Sequence, residues 1–388
     1  HVLGGALFGK NAFENVIVNG IVVSAEDGRK LSKSKQNYPD PMLMIERYGA
    51  DALRYYLLSS PVVQAENLAF AESGVDEVAK KNLGRLRNVL AFYLLHADGT
   101  AASAQSHNVL DRWMLARLSE FIRESAEGYE HYELDRAVRP TTAFIEDLSA
   151  WYVRRSRDRF KETGSDKTAA LATLRYVLRE SAKVMAPAMP FIAEELFQAV
   201  REEGDTESVH LATWPEGKRS LLARLVRPLA AQNEKTLLQD MARVRTLASE
   251  ALMLRQKAGI KVRQPLAMLS IPGDLSIELS EILAEEVNVK RVRTEAPELA
   301  LDTTLTDTLV REGDVREFTR ALAEARKAEG FSPQDRVRLS VSEAAKPLLE
   351  KETLTGVSAI AFDAREDAPY EATLSFGKTR FSITKNAA

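Results

Sequence analysis

The stretch EDGRKLSKSKQNYPDP, Glu26 to Pro41, places four cations (Arg29, Lys30, Lys33 and Lys35) within seven residues. Lys30 and Lys33 are point charges on flexible stems, suited to follow a polyphosphate whose negative charge grows on a leaving group. Ser32 and Ser34 add hydroxyl and backbone donors, and Gly28 permits a tight entry to the loop. Taken alone, the stretch fits either a phosphate-holding loop or a solvated surface loop.

A second constellation is WYVRRSRDRFK, in which Arg154, Arg155, Arg157, Arg159 and Lys161 put five cations within eight residues, beside Trp151 and Tyr152. On a helix, Arg154, Arg157 and Lys161 share one face, and Arg155 and Arg159 form a second row. Such a strip suits RNA phosphates, because arginine matches phosphate geometry. It equally suits a solvated face with salt bridges to Asp158 and Glu162. Trp151 and Tyr152 continue an apolar stripe, so they read as core residues, with base stacking as the other use of the pair. In AGIKVRQPL (258–266), Lys261 and Arg263 fall on one side of an extended segment, either a solvent-facing strand edge or an RNA contact.

The elements that must position these groups sit in a chain of 388 residues, 45% hydrophobic and 28% charged, the balance of an ordinary globular protein with room for two or three domains. There are no cysteines, which excludes disulfides and thiolate metal sites. Five scattered histidines (His1, His96, His107, His131, His210) show no ligand spacing, so no metal site is expected. A net charge of -3 argues against nonspecific coating of nucleic acid and confines any such binding to local basic patches. No apolar run is long enough for a transmembrane helix, and no membrane partner is expected. The abrupt start at His1, without signal character, reads as the C-terminal part of a longer protein, although a trimmed chain would look the same.

Residues 13 to 25, FENVIVNGIVVSA, are β-branched and predict one or two strands of a buried sheet. Asp40 predicts a helix N-cap with Pro41 in the first turn and Gly49 as the stop; a further helix near Ala50 to Ser59 ends before Pro61. From Val75 to about Gln198 helical stripes follow one another. Ala79, Leu83, Leu86, Leu90, Tyr93, Leu94 and Ala97 mark one, and Leu134 through Tyr152 another, kinked at Pro140. A long charged helix is expected over Lys235 to Lys257. Short strands and helices follow, with Val337, Leu339 and Val341 alternating in one strand and a hairpin turning at Gly377-Lys378.

KLSKS, Lys30 to Ser34, resembles the KMSKS signature of class I aminoacyl-tRNA synthetases, with Leu31 in the methionine position. NYPDP (37–41), YGADALRYYLLSSPVVQAENLAF (48–70), LDRWMLARL (110–118), WYVRRSRDRF (151–160), SVHLATWP (208–215) and AGIKVRQPL then resemble, in order and over nearly the whole chain, the isoleucyl-tRNA synthetase family. NYPDP and the lack of cysteine are similar to its branch with a eukaryotic-type C-terminus, for which no zinc is expected in this region. Lys161 stands where the family usually has an aromatic residue. Valyl and leucyl relatives share the signature and the helices but differ at NYPDP and GIKVRQPL.

The resemblance implies a mostly α fold with α/β parts in three domains. These are the C-terminal edge of a Rossmann-like catalytic domain over 1–74, an antiparallel, anticodon-binding helical bundle over 75–220, and a small α+β domain over 221–388 led by a long helix. It implies that Lys30 and Lys33 are catalytic and that Lys30, Leu31, Ser32, Lys33 and Ser34 bind ATP, which arrives with Mg2+. It also implies tRNA contact through Trp151, Arg154, Arg155, Arg157, Lys261 and Arg263. The implied partners are tRNA(Ile), ATP and isoleucine, whose pocket lies mostly outside this chain, in a cytoplasmic ligase. The family's first ATP signature, amino-acid pocket and editing domain have no counterpart in the 388 residues, so the chain alone is expected to be inactive. A free-standing tRNA-binding module, or the matching part of a valyl or leucyl enzyme, remains the alternative.

Overall fold

In the computed structural model the basic loop is entered from a strand and left through a capped helix. The structure describes residues 1–25, 28–31, 40–215, 221–332, 335–350 and 352–385, without the side chains of 221–231. It is mostly helical with small sheets, in two compact units, His1–Leu238 and Gln239–Ala388. Among the described residues no helix is long and apolar enough to cross a membrane.

The first unit opens with α1 (Val2–Phe8) and β1 (Val22–Ser24), which pairs in parallel with β2 (Leu68–Phe70). The strand expected over 13–25 is therefore corrected to three residues, and Val16, Ile17 and Val18 are exposed. A β-branched run becomes a strand only where a neighbour takes its backbone groups, and β2 offers three residues. Just before β1 the chain passes so close to Glu66 that a Cβ at Gly20 would lie 1.7 Å from its carbonyl oxygen.

Helix α2 (Pro41–Tyr48) starts as the sequence predicts, with the Asp40 carboxylate accepting from the Met42 N–H at 2.8 Å. Gly49, at φ 86°, separates it from α3 (Ala50–Leu58). α4 (Glu72–Val78) and α5 (Arg85–His96) are one helix joined by a π turn, Ala79–Gly84. A π turn inserts an extra residue and slips the apolar phase. Leu83, Leu86, Leu90 and Tyr93 are buried as expected, but Leu94 is 51% exposed and Val89 takes a core position.

α6 (Val109–Glu130) packs against a broken helix made of α7 (Leu134–Val138), α8 (Pro140–Glu146), a π turn Asp147–Val153 and α9 (Arg154–Lys161). The break at Arg139 precedes Pro140, as the sequence predicts. α10 (Ser165–Met185) and α11 (Pro190–Val200) complete the helical layer. Its core holds Trp113, Phe121, Phe144, Tyr152 and Phe197, with Phe121 and Phe144 stacked at 4.6 Å.

Helix α3 is bolted to this layer by polar groups. The buried Asp51 carboxylate accepts from the Phe191 and Ile192 N–H groups (3.2 and 2.6 Å), capping α11 behind Pro190. Arg54 donates to the carbonyls of Pro187 and Ala188, which end the preceding turn. Tyr55 meets Thr142 at 2.6 Å, and Arg139 donates to the Ser59 carbonyl. The YGADALRYY stretch thus ties the segment carrying the basic loop to the helices.

A 37-residue helix, α12 (Leu221–Lys257), starts at Leu221 rather than near Lys235, carried on by the Leu-, Ala- and Arg-rich residues ahead of the charged part. In the second unit β3 (Leu266–Ser270) and β4 (Val289–Arg293) pair in parallel around α13 (Ile277–Val287), and β5 (Ala300–Leu301) adds antiparallel to β3. α14 (Asp307–Ala328) and the short α15 (Lys346–Leu349) share a core with a second sheet, β6 (Val337–Val341), β7 (Val357–Ala361), β8 (Tyr370–Leu374) and β9 (Gly377–Lys385), ordered β7-β6-β9-β8. Val337, Leu339 and Val341 alternate into that core as expected. The hairpin turns at Ser375–Phe376, not at Gly377-Lys378, because the Asp314 carboxylate on α14 takes the Ser375 N–H and hydroxyl.

Asp51→Ala is expected to destabilise the chain by about 2 kcal/mol, since it leaves a buried helix end uncapped. Asp51→Asn keeps an acceptor and should cost less. Urea unfolding followed by far-UV circular dichroism measures both.

Candidate nucleic-acid interface

The entry to the basic loop is a narrow β-like return. Ser24 N–H donates to Arg29 O at 2.9 Å, Leu31 N–H donates to Val22 O at 3.2 Å, and Lys30 bridges Val23. Gly28, at φ 67°, makes the turn between them. Lys30 is exposed and Leu31 half-buried; Ser32, Lys33 and Ser34 lie outside the described residues, as do Lys35 and the Asn37–Pro39 part of NYPDP. The exit is fixed by the Asp40 cap of α2. Among the described residues there is no cluster of three or more carboxylate or imidazole groups placed to hold a metal ion.

The arginine-rich segment is α9, directly after the π turn. Arg154 and Arg157 are exposed and Arg155 is half-buried. The Arg154 guanidinium lies 5.6 Å from the centre of the Trp151 ring, and its Nε donates to the Ala150 carbonyl at 2.7 Å. Trp151, expected in the core, is only half-buried, and Tyr152 alone of the pair is fully enclosed. Among the described residues Arg157 makes no hydrogen bond or ion pair. Lys161 pairs with Asp158 at 2.8 Å.

Arg159 belongs to the interior. Its Nη1 and Nη2 donate to the two oxygens of Asp111 at 2.8 and 2.9 Å, and its Nε and Nη2 donate to Asp166 at 2.7 and 2.8 Å. Asp111 is 0% exposed and also accepts from the Tyr152 hydroxyl at 2.9 Å and the Ser106 hydroxyl at 2.7 Å. Burial, with the Asp111 charge beside it, pushes the Tyr152 phenol well above its ordinary range. Nearby, Arg117 of α6 pairs with the buried Asp147 in the π turn at 2.8 Å. The Asp and second Arg of LDRWMLARL therefore pin the arginine helix to α6. The expected solvent partners Asp158 and Glu162 were too local for Arg159. The clue in the sequence was Asp111 itself, a charge between Leu110 and Met114 on an apolar stripe, where it needs an opposite charge.

SVHLATWP is held by Glu194 of α11, whose carboxylate accepts from the Ser208 hydroxyl and the Val209 N–H at 3.0 and 2.8 Å. Lys261 and Arg263 do not lie on an extended segment. They flank a turn closed by Gln264 N–H to Lys261 O at 3.0 Å, and β3 begins only at Leu266. Arg263 pairs with Glu317 of α14 at 2.7 Å, while Lys261 is exposed. The residue missed by sequence reasoning is Arg255, 1% exposed, whose guanidinium gathers the carbonyls of Lys261, Gln264, Val287 and Asn288. Burial pushes it down to about 10, so it stays charged at neutral pH. Nothing local marked it, since its acceptors are backbone atoms far along the chain.

Arg159→Met should cost about 3–5 kcal/mol, because Asp111 is left as an uncompensated buried charge. Hydrogen bonding to Arg159 holds the Asp166 carboxyl below its ordinary value of 3.8. A depressed folded pKa contributes stability above the ordinary value and loses it as pH falls through the folded one. Thermal unfolding of the chain should therefore weaken below about pH 4, and Asp166→Asn should flatten that part of the profile.

A family model described as "tRNA synthetases class I (I, L, M and V)" matches residues 1–69, and one described as "Anticodon-binding domain of tRNA ligase" matches residues 111–270. Isoleucine--tRNA ligase of Chlamydia trachomatis serovar D is 39% identical over 410 residues, covering 100% of this chain and 38% of that protein. The protein of the same name from Chlamydia muridarum is 39% identical over 96% of this chain and 37% of its own length. That of Chlamydia caviae is 40% identical over 75% and 28%. The chain thus spans about two fifths of the length of the curated relatives it matches. With the two family matches following one another along one chain, and this similarity running its full length, the chain belongs to the class I tRNA synthetases, as a part of an isoleucyl-tRNA synthetase.

Proposed function

We propose that this chain supplies the ATP-phosphate loop and the tRNA-reading part of an isoleucine–tRNA ligase. The observation that carries the reading is the similarity to isoleucine--tRNA ligases over the whole chain. In it, 1–74 is the C-terminal end of the catalytic domain, 75–220 an antiparallel bundle that binds the anticodon, and 221–388 an appended α+β domain. The setting is cytoplasmic.

In the first step the isoleucine carboxylate attacks the α-phosphorus of ATP and pyrophosphate departs, leaving isoleucyl-AMP. Lys30 and Lys33 hold the β- and γ-phosphates and offset the charge that develops on them, with Leu31, Ser32 and Ser34 completing the loop. This is positioning plus electrostatics and needs no covalent enzyme intermediate. Magnesium comes with the ATP as part of the substrate. In the second step a hydroxyl of the terminal adenosine of tRNA(Ile) attacks the adenylate carbonyl, and AMP leaves. The anchoring of the loop between β1 and the capped α2 supports this reading, because a backbone bridge to Val23 holds Lys30 at its entry and the Asp40 side-chain cap marks its exit. Arg154, Arg155 and Arg157 of α9, with Trp151 of the π turn before it, face the tRNA. Lys261 serves as a phosphate contact in the second unit and Arg263 as its paired neighbour.

In the intact ligase Lys33→Ala should slow isoleucine-dependent ATP–pyrophosphate exchange by about 100-fold or more, with tRNA affinity nearly unchanged. Equal loss of both would assign the loop another task. Replacing Arg154 and Arg155 together by alanine should weaken tRNA binding and reduce the slope of log affinity against log salt by about two. An unaltered slope would demote them to surface residues.

A further inference from the structure

Helix α2, in which the basic loop ends, is thinly attached. It buries one side chain, Met44, while Met42 and Leu43 are exposed. The single residue between it and α3 is Gly49, at φ 86°, and a glycine joint imposes little on the angle between two helices. That angle therefore needs a restraint from outside the joint. One carboxylate supplies it: Glu72 Oε1 accepts from Arg47 Nη1 at 2.9 Å and from the Tyr48 hydroxyl at 2.8 Å, adjacent residues in the last turn of α2. Both bonds are charge-assisted, and two donors from one helical turn on one oxygen fix a direction as well as a distance.

Glu72 opens α4 and stands just past the end of β2. β2 is also the strand that carries β1, with Ala69 opposite Val23, and Val23 in turn bridges Lys30. The short segment 68–72 thus holds both flanks of the basic loop. The entry is reached by backbone pairing from Ala69 through Val23 to Lys30, and the exit by the Glu72 carboxylate. The segment is itself fixed on α3. The Tyr56 hydroxyl accepts from the Ala71 N–H at 3.2 Å, and its ring meets Phe70 edge-on at 5.5 Å. A Cβ at Gly74 would lie 2.5 Å from the same ring, so the chain wraps Tyr56 as closely as a glycine allows.

We infer that Glu72 is a positioning residue for adenylate formation, setting the place of the loop's exit helix relative to Lys30 and so the spacing at which the loop's cations meet the ATP phosphates. This rests on the reading of Lys30 to Ser34 as the ATP-phosphate loop and adds a residue outside that signature. Glu72 touches no substrate. It acts through Arg47 and Tyr48 on α2. The pair is exposed, with 59% of the Arg47 side chain and 41% of the Glu72 side chain accessible, so it contributes little to the stability of the fold. Its weight falls on geometry, because a catalytic cation displaced by about 1 Å from a departing pyrophosphate loses much of its effect.

The test is isoleucine-dependent ATP–pyrophosphate exchange by the intact ligase. Glu72→Ala should slow it about tenfold, in kcat rather than in KM for isoleucine, with the unfolding temperature and tRNA affinity nearly unchanged. Glu72→Gln keeps an accepting oxygen for both donors and should recover most of the rate. Tyr48→Phe loses one donor of the two and should fall between. Lys30→Ala keeps the backbone bridge to Val23 and removes a cation. In that background Glu72→Ala should cost about threefold rather than tenfold, because both changes act on the same contact with the phosphates. A structural role alone would lower the unfolding temperature of Glu72→Ala and leave kcat of the folded enzyme unchanged. That result, or full additivity with Lys30→Ala, overturns the positioning role while the loop reading stands. If Lys30→Ala itself leaves exchange unchanged, the loop reading fails and this inference with it.

Discussion

A carboxylate with no exposure, Asp111, holds the arginine-rich helix of the first unit in place. It takes Arg159, Tyr152 and Ser106 together, and Asp166 closes the far side of Arg159. Desolvating an aspartate is tolerable only when every lone pair is used and an opposite charge sits against it. The hydroxyls of Ser106 and Tyr152 fill the lone pairs and α9 supplies the opposite charge at one rotation. The same rotation turns Arg154 and Arg157 outward and leaves Arg155 at the rim. The buried pair therefore decides which arginines can meet a ligand.

The same logic recurs at the two other joints. Asp51 and Arg54 fasten the segment after the basic loop to the ends of α10 and α11, using backbone groups that helix termini leave open. Arg255 fastens the strand entries of the second unit. In each case a charged side chain is spent on geometry, on backbone or buried partners far along the chain. The π turn 147–153 contributes too, since its extra residue resets the phase at which α9 leaves the apolar stripe. The motifs by which the chain resembles its family are thus partly motifs of assembly: Asp111 and Arg117, Asp51 and Arg54, and Ser208 on Glu194.

What was legible in the sequence was local. The Asp40–Pro41 start and Gly49 stop of α2 depend on neighbours within a turn, and the alternation of Val337, Leu339 and Val341 on the pleat. What was illegible depended on partners far along the chain. The apolar run 13–25 could not announce that only Leu68–Phe70 would pair with it. The hairpin moved to Ser375–Phe376 because Asp314 reaches it from α14. Arg159 looked like its exposed neighbours and differed only by facing Asp111, 48 residues earlier. Leu94 was misplaced by a π turn that leaves no mark on composition. Of the basic loop only the residue types were legible, and its middle, with Lys33, lies outside the described residues.

The central proposal is that this chain reads isoleucine tRNA. Its most direct test is equilibrium binding of the chain to purified isoleucine, valine and leucine tRNAs at one fixed salt concentration. The account predicts tightest binding to tRNA(Ile), by at least the tenfold that unpaired anticodon bases can supply in about 1.4 kcal/mol of readout. Equal affinity for the three, or a preference for the valine or leucine tRNA, would contradict it.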